Sequence, residues 1–462
     1  MCVYKFILPQ KTMTSGFLFY VLVCASCAPA HAECTFEEPN SQDKFWSQVK
    51  NMKAGPVTFD FGGQMRLRYE YQDGFSIKGY DPQGQDQLLL ERVRLELSAK
   101  FWKRPRLFLQ LQDAHPFLTR FGEADFPKNN PIEDTLDIRQ LYAEWLHIGD
   151  SPFGFRIGRQ QISYGDQRVF GPGNWGNTGR YAWDAAMFIF DTDRLASDFW
   201  VGRYLTYRTD VWPNRWVENF LTFVNYNRVK NLPFRLDLFY VLKYDYSGKI
   251  AGESGTGNLL SHSIGLQLEG QTAKVLDLGL TFVGQFGRYG KDSLRAFGAN
   301  IKLGVTAPLD FKPRLAVQYT WGSGDANPQD GLHQTFDGVF GGRDIFYGRL
   351  NLFFWANLHD AELDFSAELL PKLSMLVEAH HFRLDQPKDA WYTTGLGVSR
   401  RDPTGASGAS LGVELDFHLV WTVWNHLELM AGYGRFLPGG FVKATGPAAP
   451  ADWFFSQAVY FW

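Results

Sequence analysis

The chain has 462 residues, 16% aromatic and 21% charged, with 46 glycines, 15 tryptophans and a formal net charge of −3. That balance carries no bulk basic character of the kind that points to nucleic acid, so any partner preference must come from local charge. A soluble chain of this length is expected to split into roughly two or three domains, yet no shift in composition marks a boundary.

Lys5 and Lys11 precede the apolar run 16–24, which leads to Ala30-His31-Ala32 before Glu33. A positive start, a short apolar middle and an A-x-A end predict a secretory signal peptide over residues 1–32. Its removal takes two lysines and no acids, which leaves a net charge of −5. Cys2, Cys24 and Cys27 leave with it, so Cys34 alone remains and no internal disulfide can form. A lipid anchor at Cys24-Ala25-Ser26-Cys27 fits less well, because Cys24 stands where an aliphatic residue is usual. After residue 32, no apolar run approaches the roughly 18–20 residues that a membrane helix needs. A membrane form of this chain must therefore be a barrel.

Residues 33–56, with Phe45, Trp46, Val49 and Met52, fit a short amphipathic periplasmic helix. From residue 57 the period becomes two. Val57, Phe59, Phe61, Met65, Leu67, Tyr69 and Tyr71 alternate with Asp60, Gln64, Arg66, Arg68 and Glu70, which puts one face in oil and one in water. The pattern recurs with Val93, Leu95 and Leu97 against Arg92, Arg94 and Glu96, and onward to Leu411, Val413, Leu415 and Phe417 against Glu414, Asp416 and His418.

Short connections such as 103–105 and 230–233 alternate with long polar ones at 115–134, 163–182, 246–258, 323–344, 385–408 and 438–452. That rhythm is the one of short periplasmic turns and long external loops. Nineteen segments alternate, but termini on one side require an even number; residues 345–358, broken by Gly348, are assigned to the preceding loop or its inward return. The expectation is an all-β, closed antiparallel 18-stranded transmembrane β-barrel of the outer-membrane type over residues 57–462, ending on the aromatic strand that closes at Trp462.

Residues 156–186 are rich in glycine, asparagine and arginine and cannot build a core. They are expected to form a loop folded over or into the lumen. Parity also directs Arg66, Arg68, Arg92, Arg94, Lys100 and Arg156 inward from the first five strands. Glu362, Asp364, Glu368, Glu378, Glu414, Asp416 and Glu428 come inward from the last five. Lumen charges commonly just satisfy one another, and for any single arginine that reading comes first; several together point to an anion-selective path. Arg139 and Arg159 have the parity of lipid-facing neighbours and need a bulge to turn inward.

Enzyme signatures do not hold together. Gly408-Ala409-Ser410-Leu411-Gly412 satisfies G-x-S-x-G without the strand-turn-helix setting. His380 and His381 are adjacent on a strand and point apart. Residues 325–331 only loosely follow a calcium loop and are read as a turn.

These residues together resemble the alginate export family. The resemblance rests on Arg139-Gln140-Leu141-Tyr142-Ala143-Glu144-Trp145, Gly158-Arg159-Gln160, Tyr164-Gly165-Asp166-Gln167-Arg168, Trp175-Gly176-Asn177-Thr178, the run from Gly322 to Asp325, Thr335-Phe336-Asp337, Phe346-Tyr347-Gly348-Arg349 and His380-His381-Phe382-Arg383. The resemblance implies an arginine-rich constriction passing an anionic polyuronate, gated by an inward external loop and a periplasmic turn. It implies Arg139, Arg159 and Arg349 at the constriction, turned inward, with Asn177 nearby. The chain departs from the family's named member in a Gly-, Pro- and Tyr-rich loop after Arg159 and in lacking an acidic residue just before Thr178-Gly179.

The expected function is thus a passive bacterial outer-membrane channel for an anionic polysaccharide or uronate oligomers, without catalysis or cofactor. It is expected to act as a monomer among outer-membrane lipids, with a periplasmic export partner left open. The alternative is an anion-selective diffusion porin for small acidic solutes, which requires a loop that leaves the lumen open. A barrel enzyme or adhesin would need a clustered Ser-His-acid site or a large external domain.

Overall fold

The computed structural model describes residues 46, 48–78, 84–102, 104–126, 128–342, 344–393 and 396–462. The expected signal peptide, and the expected helix up to residue 45, lie outside the described residues. Just before the first long strand, Met52–Ala54 pairs with Val57–Phe59 in a hairpin.

Eighteen long strands follow. They are β1 (Val57–Asp73), β2 (Asp86–Phe101), β3 (Arg106–Phe117), β4 (Asp134–Trp145), β5 (Phe153–Gln160), β6 (Trp183–Asp191), β7 (Leu195–Thr206), β8 (Phe220–Val229) and β9 (Arg235–Gly252). The second half comprises β10 (Gly255–Thr272), β11 (Leu276–Gly290), β12 (Asp292–Thr306), β13 (Arg314–Gly322), β14 (Leu358–Leu370), β15 (Leu373–Arg383), β16 (Ser410–Trp424), β17 (Leu427–Pro438) and β18 (Ala451–Phe461). Each pairs antiparallel with the next, and β18 returns to β1 from Gln64↔Phe461 to Asp73↔Asp452, which closes the cylinder and removes both sheet edges. Residues 345–357 contain no strand and belong to an inserted loop, as the alternation count requires.

Period-two patterning explains the two faces. Leu67, Leu95, Leu141, Ile157, Phe188, Leu238, Phe282, Ile301, Leu363, Leu415 and Phe454 form an exposed apolar exterior, while Arg66, Arg94, Gln112, Asp198, Asp237, Gln285, Asp364 and Asp416 are buried inside. Trp102, Trp145, Trp421 and Trp424 stand exposed beside the short turns, where an interfacial girdle belongs. No helix among the described residues is long and apolar enough to cross a membrane.

Residues 246–258 are not a loop. β9 and β10 continue through them as an extended hairpin, with Ile250↔Gly257 and Gly252↔Gly255 still paired. Leu411 also departs from simple alternation: it is the extra residue between Phe382↔Gly412 and Arg383↔Ser410, and the bulge turns it into the interior.

At the long-loop end, residues 161–182 and 323–357 fold into the cylinder. Their backbones join where Gly171 N donates to Phe340 O (3.0 Å), Phe340 N to Val169 O (3.0 Å) and Gly342 N to Gln167 O (2.9 Å). Phe170, Phe340, Phe346 and Trp355 from the loops pack with Trp183, Trp200 and Phe382 from the wall in one apolar cluster. A soluble protein puts such a cluster between layers; here the inserted loops bring it into an otherwise polar lumen.

Candidate functional site

Alternation brings Arg66 and Arg68 of β1 beside Arg92 and Arg94 of β2, each only 2–3% exposed. Cations removed from water need acceptors, and residues 174–177 of the first inserted loop supply them. Arg66 Nη1 donates to Asn174 O (3.2 Å) and Trp175 O (2.9 Å), and its Nη2 to Gly176 O (3.2 Å) and Asn177 Oδ1 (3.0 Å). Arg92 Nη1 donates to Asn174 O (2.9 Å) and Gly176 O (3.0 Å), while Arg68 Nη1 donates to Trp175 O (2.7 Å). Arg94 completes the group through Gln112 Oε1 (2.8 Å) and Asn174 Oδ1 (3.2 Å).

Hydrogen bonds to charged groups are worth about 1.5–3 kcal/mol each, so this is a strong clamp on a segment with little secondary structure. The wall also has donors to spare, because Arg66 Nε, Arg92 Nε and Arg94 Nη2 have no partner. Asn177 fastens the same segment from its other side, donating from Nδ2 to Glu91 O (3.0 Å) and Ile132 O (2.8 Å).

Arg139 turns inward by a β-bulge. The register passes from Gln110↔Gln140 to Leu111↔Ile138, which leaves Arg139 as the extra residue. It is buried against the Tyr207 ring at 5.1 Å and donates to the Tyr207 hydroxyl. Gly179, at φ +84°, lets the loop pass over it; a Cβ there would overlap the guanidinium.

Arg159 behaves differently. It keeps the parity of exposed Ile157, in register with Leu141 and Asp184, at the last paired position between β4 and β5. Its guanidinium is tied to Asp184 (Nε to Oδ1, 2.9 Å), Ile138 O (3.1 Å) and Asn214 O (2.7 Å). The inward turn implied by the family resemblance is thus a feature of Arg139, whereas Arg159 binds the rim beneath residues 207–219.

Arg156 points inward nearer the short turns, with its Nε 2.6 Å from Glu144 Oε2 and its Cζ 4.9 Å from the Tyr142 ring centre. Below it Lys100, Arg104, Arg106, Glu144 and His147 border a cleft of about 500 Å³ at the short-turn mouth.

Further round the cylinder, beyond β17 and β18, Glu362, Asp364, Glu378, Glu414 and Asp416 are buried. Glu368 pairs with Lys312 at 2.8 Å. Arg349 of the second loop is bound by both oxygens of Glu378, and Leu350 N donates to Glu414 Oε1 at 2.9 Å. Acids hold one loop by its donors; arginines hold the other by its carbonyls. The two walls do not touch directly. Trp453 and Phe455 of β18 lie between them, and Trp175 stands edge-on to Phe455 at 5.1 Å.

Sequence reasoning missed Arg168, which is buried at the loop junction, 4.3 Å over the Phe346 ring, and donates to Gln318 Oε1 at 2.8 Å. Its sequence signals are its place in the motif Tyr164–Arg168 and in a glycine-rich loop, neither of which gives it a site role. Lys243, which donates to Asp337 Oδ2 and Val339 O at 2.6 Å each, was visible only as the polar member of an alternating strand.

Two external carboxyls are strongly perturbed. Burial pushes Asp385 up, but donors on His359, Gly324, Trp321 and Gln386 outweigh it and hold it down to about 2. Burial, then the neighbouring Glu253 carboxyl, pushes Asp325 up to about 7.

A family model described as Alginate export matches residues 57–455. Among solved structures, the chain is similar to OccAB2 of Acinetobacter baumannii, with a TM-score of 0.58 and 11% identity over 87% of this chain and 98% of that one. It is also similar to the outer membrane protein opdK of Pseudomonas aeruginosa (TM-score 0.57, 11% identity, 87% and 98% covered). OccK11 (OpdR) of the same organism gives a TM-score of 0.55 at 12% identity, covering 87% and 95%. At such identities the likeness is one of fold. No curated protein matches the sequence.

Proposed function

The chain belongs to the alginate export family, and from that premise we propose that it passes an anionic polysaccharide, an alginate-like polyuronate, through an arginine-lined pore gated by its inserted loops. It is a channel of the bacterial outer membrane and not an enzyme.

The observation that carries the reading is the convergence of Arg66, Arg68, Arg92 and Arg94 on residues 174–177. The loop's carbonyls occupy the place of a cargo carboxylate. When that segment lifts away, the same guanidinium groups are free to take uronate carboxylates in paired hydrogen bonds. Arg139 and Arg349 extend the cationic path at the level of the loops, Arg156 continues it downward, Arg159 steadies the rim, and Asn177 latches the closed form. Several weak sites in series let the polymer keep moving. The cleft at Lys100 and Arg106 is where a periplasmic export partner would meet the barrel, which works as a monomer.

A diffusion porin for small acidic solutes calls for an open lumen. The near-complete burial of Tyr164, Phe170, Phe336 and Trp355 favours a closed resting state instead. Proteoliposomes holding the barrel should release trapped uronate oligomers and retain neutral oligosaccharides of equal length; equal release of both would refute the reading.

A further inference from the structure

A path for anions gives no reason for the acidic wall. β14, β15 and β16 bring Asp360, Glu362, Asp364, Glu378, Glu414 and Asp416 into one buried patch. The side chains that meet it through hydrogen bonds include Arg349 on Glu378, the imidazole of His380 on Asp360 and the amide of Gln318 on Glu362. Glu378 and Asp416 are direct cross-strand partners, as are His380 and Glu414. Like charges placed opposite each other on a sheet repel. Ligand atoms of Glu378, His380 and Asp416 all lie within 4.8 Å of one another.

A second observation points to a missing counter-charge. Asp416 is 2% exposed, and no amine, amide or hydroxyl hydrogen reaches either of its oxygens; it lies against the Glu414 carboxyl, whose Oε2 has no such donor either. A carboxylate in that position must find a proton or a cation. Asp360 sits 3.0 Å from His380 Nδ1, the outer-shell arrangement that fixes an imidazole for metal binding through its other nitrogen. We propose that Glu378, His380 and Asp416 bind a divalent metal cation inside the barrel wall. Two carboxylates and one imidazole suit Mn²⁺ or Zn²⁺ better than Ca²⁺. Because Arg349 occupies the same carboxylate of Glu378, the cation and the guanidinium compete for it. The site stands whatever the cargo is.

The test is a Mn²⁺ titration of the full-length barrel in detergent, followed by electron paramagnetic resonance, with heat-modifiable gel mobility reporting that each variant is folded. The expected result is about one bound Mn²⁺ per chain, lost in Asp416→Asn and in His380→Gln, tightened in Arg349→Gln, and displaced by Zn²⁺ at lower concentration than by Ca²⁺. No bound Mn²⁺ in the unmodified barrel, or binding undiminished in folded Asp416→Asn or His380→Gln, overturns the proposal. Easier displacement by Ca²⁺ than by Zn²⁺ overturns it as well.

Discussion

Arg349 and Glu378 meet fork to fork, Nε to Oε2 at 2.6 Å and Nη2 to Oε1 at 2.7 Å, so one planar ion pair fastens the second inserted loop to the barrel wall. Removing one member strands the other in a buried setting, at a cost of about 3–5 kcal/mol. Arg349→Gln should therefore loosen residues 345–357, and an added protease should cut there faster while the barrel itself stays intact. The double variant Arg349→Gln with Glu378→Gln removes the stranded charge and should recover part of the loss. Unchanged cleavage in the single variant would show that the pair does not hold the loop.

The basic wall makes a complementary prediction. Arg66 and Arg92 together bind the carbonyls of Asn174, Trp175 and Gly176. Arg66→Gln with Arg92→Gln weakens several charge-assisted bonds, each worth about 1.5–3 kcal/mol. In bilayer recordings the open fraction should rise by roughly tenfold or more, and the open state should prefer anions less than the unmodified channel does. An unchanged open fraction would separate these arginines from the gate.

Gly179 and Gly149 offer a matched pair. Both have positive φ, +84° and +60°, but a Cβ on Gly179 runs into Arg139 while one on Gly149 meets nothing within 4 Å. Gly179→Ala should cost about 1–3 kcal/mol of local strain plus the displacement of Arg139, and hydrogen exchange should rise across residues 174–182. Gly149→Ala carries the backbone penalty alone, about 1–2 kcal/mol, at the far end of the barrel. Equal exchange at 174–182 in the two variants would contradict the packing described for Gly179.

Burial of Asp325 beside the Glu253 carboxyl makes the outer loops sensitive to pH. The Asp325 carboxyl is raised to about 7, by burial first and then by Glu253. A raised carboxyl stabilises the docked form while it is protonated. That contribution is whole below its unfolded value of about 3.9 and fades as pH rises through about 7. Hydrogen exchange at residues 323–334 should therefore speed up between pH 5 and 8 beyond the intrinsic rate, to a first approximation. Asp325→Asn should flatten the profile. An unchanged or steeper profile in that variant would contradict the assignment to Asp325.

Much of this architecture was legible in the sequence because a membrane barrel imposes a strict rule, one face in lipid and one in water, on every strand. Leu67 and Arg68 show it directly, as neighbours on opposite faces. Alternation alone counts residues 345–358 as a further segment; the even strand number that termini on one side require, with the break at Gly348, marks them as loop, and the structure leaves 345–357 out of the sheet. What alternation could not give was anything set by backbone atoms or by a slip in register. The capture of the Asn174–Gly176 carbonyls by Arg66 leaves no mark in side-chain pattern. Arg139 reads as lipid-facing until the bulge opposite Gln110 and Leu111 is seen. Arg159, with the same sequence parity, has no such bulge and stays on the rim. Glycine and polar residues at 246–258 read as a loop, yet ladder bonds carry β9 and β10 straight through them.

The central claim is that the basic wall is a polyanion site which the first loop covers. Its most direct measurement is the reversal potential, under a salt gradient, of a barrel whose residues 171–181 are replaced by a short glycine-serine linker, read with and without uronate oligomers. The account predicts a larger, anion-selective conductance that acidic oligomers block at concentrations where neutral ones do not. A cation-selective conductance, or equal block by neutral sugars, would contradict it.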